Sequence, residues 1–164
     1  DRPAADPSFQ SSPPPPRARR TIEGDLCVTA FALGHGETRQ LDLCEAWNDY
    51  DPGAFSCSPC ALPGPDVVAS LDTQPGELLR IQTSVLSGEL DVRVYLATDC
   101  EDPAGSCLAA ATTAAGELEY SVVGGGELFL FVDTTGECGE VQVSLQRTAS
   151  STRTTFSALK AVYR

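Results

Sequence analysis

The sequence predicts an all-β protein: an antiparallel β-sandwich of jelly-roll type with about eight or nine short strands. Two observations predict it. Apolar and polar residues alternate with period two through most of the central chain, and Gly or Pro punctuates nearly every gap between the alternating runs. A third supports it by default, since no stretch of that region carries a convincing helical pattern.

In the run from Leu79 to Val85, apolar or β-branched residues alternate with polar ones. Leu90, Val92, Val94 and Leu96 share one face against Asp91, Arg93 and Tyr95. Leu118, Tyr120 and Val122 oppose Glu117, Glu119 and Ser121, and Val141, Val143 and Leu145 oppose Gln142, Ser144 and Gln146. Each is a strand with one buried and one wet face. Leu128–Val132 (LFLFV) is apolar on both faces and reads as a strand covered on both sides. Weaker candidates are Leu26–Leu33, Thr38–Leu43, Val67–Leu71 and Cys107–Thr112. The tripeptide GEL occurs four times, starting at Gly76, Gly88, Gly116 and Gly126, with no fixed period. A solenoid is therefore excluded. Each Gly supplies the positive φ of a tight turn just ahead of a strand.

These elements occupy 21–146, read as one sandwich domain. Residues 1–20, with SSPPPP, form an extended Pro-rich linker, and 147–164 a basic, Ser/Thr-rich tail in which FSALKAVYR has the pattern of a short helix. Within 21–146 three arginines face 21 acids, a net charge of −18. Such a body repels nucleic-acid phosphates and anionic headgroups, so nucleic acid is not an expected partner. No run approaches the ~20 apolar residues of a membrane span, and membrane insertion by this segment is not expected. The opening DRPAADPSFQ has no leader pattern and reads as a mature form or a fragment.

Seven cysteines in 164 residues point to an oxidising compartment, hence an extracellular, cell-surface or periplasmic location. Zinc competes for them, but Cys57 and Cys60 (CSPC) form a lone close pair and the single histidine, His35, is far away in sequence. Cys100 and Cys107 flank six residues that include Pro103 and Gly105. A disulfide between them would close a hairpin-like loop worth about 2–3 kcal/mol. Two free thiols are the competing reading.

No catalytic constellation emerges. His35 lies between two glycines, and neither GxSxG nor HExxH is present. Acids are too numerous for any pair to be singled out as glycosidase carboxylates. The cation reading is more specific. In Asn48-Asp49-Tyr50-Asp51-Pro52-Gly53, oxygen donors alternate along a loop, which makes Asp49 and Asp51 candidate Ca²⁺ ligands. The competing reading is an Asx-rich turn whose side chains bond their own backbone. Asp99, Glu101 and Asp102 form a second acidic loop, and Asp133 ends the most apolar strand.

In order along the chain, GDLCVTAFAL, NDYDPG, GPDVV, LDVRVYLATDC…C and GELFLFVDT resemble bacterial pre-peptidase C-terminal domains, in particular the cysteine-bearing versions in myxobacterial-type secreted proteins and lipoproteins. The resemblance covers about residues 24–146. It implies a jelly-roll sandwich without catalysis of its own, exported as an accessory module of a larger surface or secreted protein. Some relatives bind calcium, or polymers such as collagen or polysaccharide. It also implies that Cys100 pairs with Cys107, and that Cys27 pairs with a cysteine ahead of GPDVV, for which Cys57 and Cys60 compete, with Cys57 taken. Two departures stand out: Ala69 replaces an aromatic, and Leu108-Ala109 replace acids after the second loop cysteine.

The expectation is therefore a non-enzymatic, disulfide-stabilised binding or accessory domain, with an extracellular polymer or protein and neighbouring domains as partners. The alternatives are a Ca²⁺-dependent polymer-binding module and a purely structural spacer. Tyr95, Phe129 and Phe131 would serve recognition on an open face. Filling the second side of the sheet is the commoner fate of such aromatics.

Overall fold

The computed structural model describes residues 22–52, 62–111 and 116–149. They hold nine strands: β1 (Phe31–Ala32), β2 (Thr38–Asp42), β3 (Val67–Thr73), β4 (Leu78–Val85), β5 (Val92–Ala97), β6 (Cys107–Ala110), β7 (Leu118–Ser121), β8 (Gly126–Thr134) and β9 (Glu140–Thr148). One helical turn, α1, spans Pro103–Ser106. The strands form two sheets, ordered β1-β3-β8-β5-β6 and β2-β9-β4-β7. Successive strands switch sheet in the jelly-roll manner except β5 and β6, which pair directly within the five-stranded sheet, and the two sheets confirm the all-β sandwich. Every pairing is antiparallel except the short one of β1 with β3.

Alternation does what the sequence predicts. Leu79 and Ile81 of β4 and Val141, Val143 and Leu145 of β9 turn inward against Leu71, Val94, Leu130 and Val132 of the facing sheet. Burying each such side chain contributes about 1.5–3 kcal/mol. β8 is central in the five-stranded sheet and apolar on both faces because both are covered. Leu128, Leu130 and Val132 face the main core, and Phe131 faces a second cluster with Tyr50, Leu62, Val68, Tyr95 and Ala97. Tyr95 and Phe131 are fully buried and stacked, with centroids 4.7 Å apart, while Phe129 is half-buried. These aromatics fill the second side of the sheet.

All four GEL glycines have positive φ, from 56° at Gly116 to 110° at Gly126. At Gly116 an added Cβ would collide with the Thr83 side chain, so only glycine fits there.

Two expectations are corrected in detail. Leu26–Leu33 is a strand only at β1, because Cys27–Thr29 form a 3₁₀ turn in which the Thr29 hydroxyl and the Leu26 backbone bond each other. β9 runs through Arg147 and Thr148, two residues past the expected end of the domain. Its register with β4 pairs Arg147 with Leu79 and Thr148 with Leu78, so the ladder simply continues. The expected linker at 1–20 and the tail beyond Ala149 lie outside the described residues.

The disulfide expectations are also corrected. Cys100 bonds Cys27, not Cys107, with the Cα atoms 5.8 Å apart. That bond equally excludes the expected Cys27–Cys57 pair. The loop from Cys100 to Cys107 needs no sulfur to close it. Asp102 Oδ1 accepts from Gly105 N at 2.9 Å, and the Ser106 hydroxyl donates to the carbonyls of Asp99 and Asp102. Cys107 is itself disulfide-bonded, to a partner outside the described residues. A further bond joins Cys44 to Cys138.

Candidate functional site

The most built surface feature lies over the outer face of the five-stranded sheet, where the loop Glu45–Pro52 crosses it. Its construction begins with two acids, one ahead of the 3₁₀ turn and one directly ahead of β3. Asp66 directly precedes the apolar Val67-Val68, and Asp25 follows Gly24, so both are carried inside and are fully buried. A buried carboxylate must be hydrogen-bonded to be tolerated. Asp25 Oδ1 accepts from Trp47 N, and Asp66 Oδ2 accepts from both Asp49 N and Tyr50 N, each at 2.9 Å. Asp66 N returns a bond to Trp47 O at 3.0 Å. The Tyr50 hydroxyl accepts from Cys27 N at 2.9 Å, and its ring meets Phe131 edge-on at 5.5 Å. The loop is thereby pinned at Trp47, Asp49 and Tyr50, and it holds Trp47 with 49% of its surface exposed.

The electrostatics beneath the loop are unusual. Burial pushes the Asp66 carboxyl up to about 7, against the opposing pull of the Tyr50 and Asp49 N–H groups, and nearby Asp49 and Asp25 add to the rise. Its Oδ1 has no hydrogen-bond partner. The Tyr95 hydroxyl is also buried and unpartnered; burial first, then Asp133, Asp66 and Asp51, push its proton affinity far up. Tyr50 is raised by burial as well.

Asp49 and Asp51, the predicted calcium ligands, sit exposed on this loop, with Asp49 anchored through its backbone. Their hard oxygen donors suit Ca²⁺. Among the described residues, however, no three His, Cys, Asp or Glu side chains converge closely enough to cage an ion, and Gly53 of the predicted loop lies outside them. Asp133 is buried, and its Oδ1 accepts from Thr134 N. The acidic loop Asp99–Asp102 is organised by its own hydrogen bonds.

His35 lines a shallow cavity of about 300 Å³ together with Ser70, Asp72, Glu127 and Arg147. This gathers the residue types of a nucleophilic triad, yet the wiring is wrong. His35 Nδ1 accepts from Arg147 N at 2.9 Å, so the neutral ring carries its hydrogen on Nε2 and offers no lone pair to a serine there. The Arg147 guanidinium donates to the carbonyls of Asp72 and Leu33, closing the end of the sandwich.

Trp47 is the residue the sequence reading passed over. The available signal was its position: the single tryptophan, in EAWND, inside an acidic stretch with no alternation that could bury it.

No protein-family model matches the chain. No curated protein matches it either. Among solved structures, the pre-peptidase C-terminal domain of a Bacillus anthracis collagenase is similar over 71% of this chain and 94% of that one, with 14% identity and a TM-score of 0.46. PliG of Aeromonas hydrophila, a periplasmic inhibitor of g-type lysozyme, is similar over 73% of this chain and 96% of its own, with 8% identity and a TM-score of 0.47. The C-terminal carbohydrate-binding module of LamC from Zobellia galactanivorans aligns over 66% of this chain and 99% of its own, with 14% identity and a TM-score of 0.28. None of these likenesses assigns the chain to a family.

Proposed function

We propose that this chain is an exported, non-catalytic accessory domain of pre-peptidase C-terminal type, which binds an extracellular polymer or protein through the loop around Trp47. The observation that carries the reading is the half-exposed Trp47 on a loop whose backbone is held by buried Asp25 and Asp66. An indole presented on a rigid support loses little conformational freedom when a partner covers it. Disulfides at Cys27–Cys100 and Cys44–Cys138 support life in an oxidising compartment, whether outside the cell, at its surface or in a periplasm. The family itself rests on the order of the sequence blocks.

A second reading makes binding calcium-dependent, with Asp49 and Asp51 supplying carboxylates and loop carbonyls the remaining oxygens; the exposed carboxylates flanking Tyr50 favour it. A structural spacer is the third. One experiment separates them. Melting is followed in millimolar Ca²⁺ and in chelator, and co-sedimentation with insoluble collagen, cellulose and chitin is measured for the wild type and Trp47→Ala in both conditions. Retention that Trp47→Ala abolishes without lowering the melting temperature supports the binding domain. A rise of several degrees with Ca²⁺ that Asp49→Asn and Asp51→Asn erase supports the second reading. Neither response leaves the spacer.

A further inference from the structure

The outer face of the four-stranded sheet carries a second feature, on the side of the sandwich away from Trp47. Register places Thr38, Ser144 and Gln82 side by side across β2, β9 and β4, and Gln40, Gln142 and Ser84 side by side in the next outward row. The result is a grid of three amides and three hydroxyls. Neighbouring strands lie ~4.8 Å apart and successive same-face residues ~6.8 Å apart, so the grid spans roughly 10 by 7 Å. Its β9–β4 part lines a shallow depression of about 340 Å³. Among the described residues, Gln82 is the one grid member whose side chain bonds another, through Nε2 to Glu117 Oε1 at 3.3 Å. The other five keep their donors and acceptors for solvent or a ligand.

Charge identifies the occupant. No grid position is ionisable, although the surrounding segment is strongly acidic. Arg80 borders the grid on β4 but is paired with Glu119 at 2.8 Å, so Glu117 on one side and Asp42 and Glu140 at one end form an acidic rim that repels polyanions. A cation would find its complement at those carboxylates, not at the uncharged centre. The complement of a neutral array of amides and hydroxyls is a neutral molecule dense in hydroxyls, each of which donates and accepts as these groups do. We infer that this face binds a neutral glycan, across β2, β9 and β4. The site goes beyond the Trp47 reading and is independent of it. Without an aromatic platform the affinity is modest, with a dissociation constant in the millimolar range.

The test is a two-dimensional ¹H–¹⁵N NMR titration of the whole chain with cellohexaose, laminarihexaose and chitohexaose, with hexagalacturonate as the anionic counterpart. The expected result is saturable shifts of the Gln40, Gln82 and Gln142 side-chain amides with at least one neutral hexasaccharide and none with hexagalacturonate. Gln142→Glu should weaken that binding about tenfold while melting like the wild type, and Gln142→Asn should keep most of it. Shifts confined to the Trp47 loop would overturn the inference and leave the proposed function standing. No shift with any neutral hexasaccharide, equal response to hexagalacturonate, or unchanged affinity in Gln142→Glu would each overturn it too.

Discussion

Asp66 offers the sharpest physical test of the loop. Its carboxyl is fully buried and holds its proton up to about 7, against 3.8 for an ordinary aspartate. A raised value means that the folded state binds the proton more tightly than the unfolded chain. The stability it brings is complete below about 3.8 and is lost as pH climbs through about 7. At 1.36 kcal/mol per pH unit, the full loss is roughly 4 kcal/mol. Asp66→Asn keeps an oxygen to accept the Asp49 and Tyr50 N–H groups and removes the titration. Its new amide N–H₂ faces the orphaned Oδ1 position, at a cost of about 1–2 kcal/mol. In chelator, urea unfolding at pH 4 should therefore find Asp66→Asn no more stable than wild type, and at pH 8 about 2 kcal/mol more stable. Asp66→Ala orphans both N–H groups and should lose about 2–4 kcal/mol at pH 4. Glu37, held below its ordinary value by the Gly34 N–H and then Arg39, works in the opposite sense, but it is common to both proteins and cancels. A difference between wild type and Asp66→Asn that stays flat from pH 4 to 8 would refute the reasoning.

Three further outcomes follow from the fold. Non-reducing peptide mapping should link Cys27 to Cys100 and Cys44 to Cys138, join Cys107 to Cys57 or Cys60, and leave one alkylatable thiol per chain; a Cys100–Cys107 peptide would contradict the structure. Replacing Cys44 and Cys138 together by Ser should lower stability by about 3–4 kcal/mol in urea unfolding, since the bond spans 94 residues of chain. Gly116→Ala should cost about 2 kcal/mol or more and lower the melting temperature, whereas the same change at exposed Gly36, whose Cβ would meet nothing, should cost only the strain of its positive φ.

The sandwich was legible in the sequence because a strand's two faces have different solvents. β4, β7 and β9 announce themselves by alternation, and β8 by lacking it, since both its neighbouring layers are protein; β5 alternates in sequence too, but its expected wet face is covered, because Tyr95 is fully buried in the second cluster. The turns were equally legible, because glycine is the residue that accepts positive φ freely. What stayed hidden depends on contacts between distant segments. Nothing in the spacing of Cys100 and Cys107 indicates that an Asp102 cap and the Ser106 hydroxyl already close that loop, leaving Cys100 to meet Cys27 across 73 residues. The same holds for the site. NDYD could be read as a loop of donors, but the burial of Asp25 and Asp66, which gives that loop its shape and lifts Trp47 into view, arises only once residues 25, 47–50 and 66 are assembled.

One topological fact has a bearing on biogenesis. β2 pairs with β9 alone, so Thr38–Asp42 finds its hydrogen bonds at Glu140–Ser144. A polypeptide emerging N-terminus first, from a ribosome or a secretion channel, must carry that segment unpaired until a further hundred or so residues have followed. Completion of the four-stranded layer is thus postponed until nearly the whole sandwich has emerged, and so is the Cys44–Cys138 bond beside that pairing.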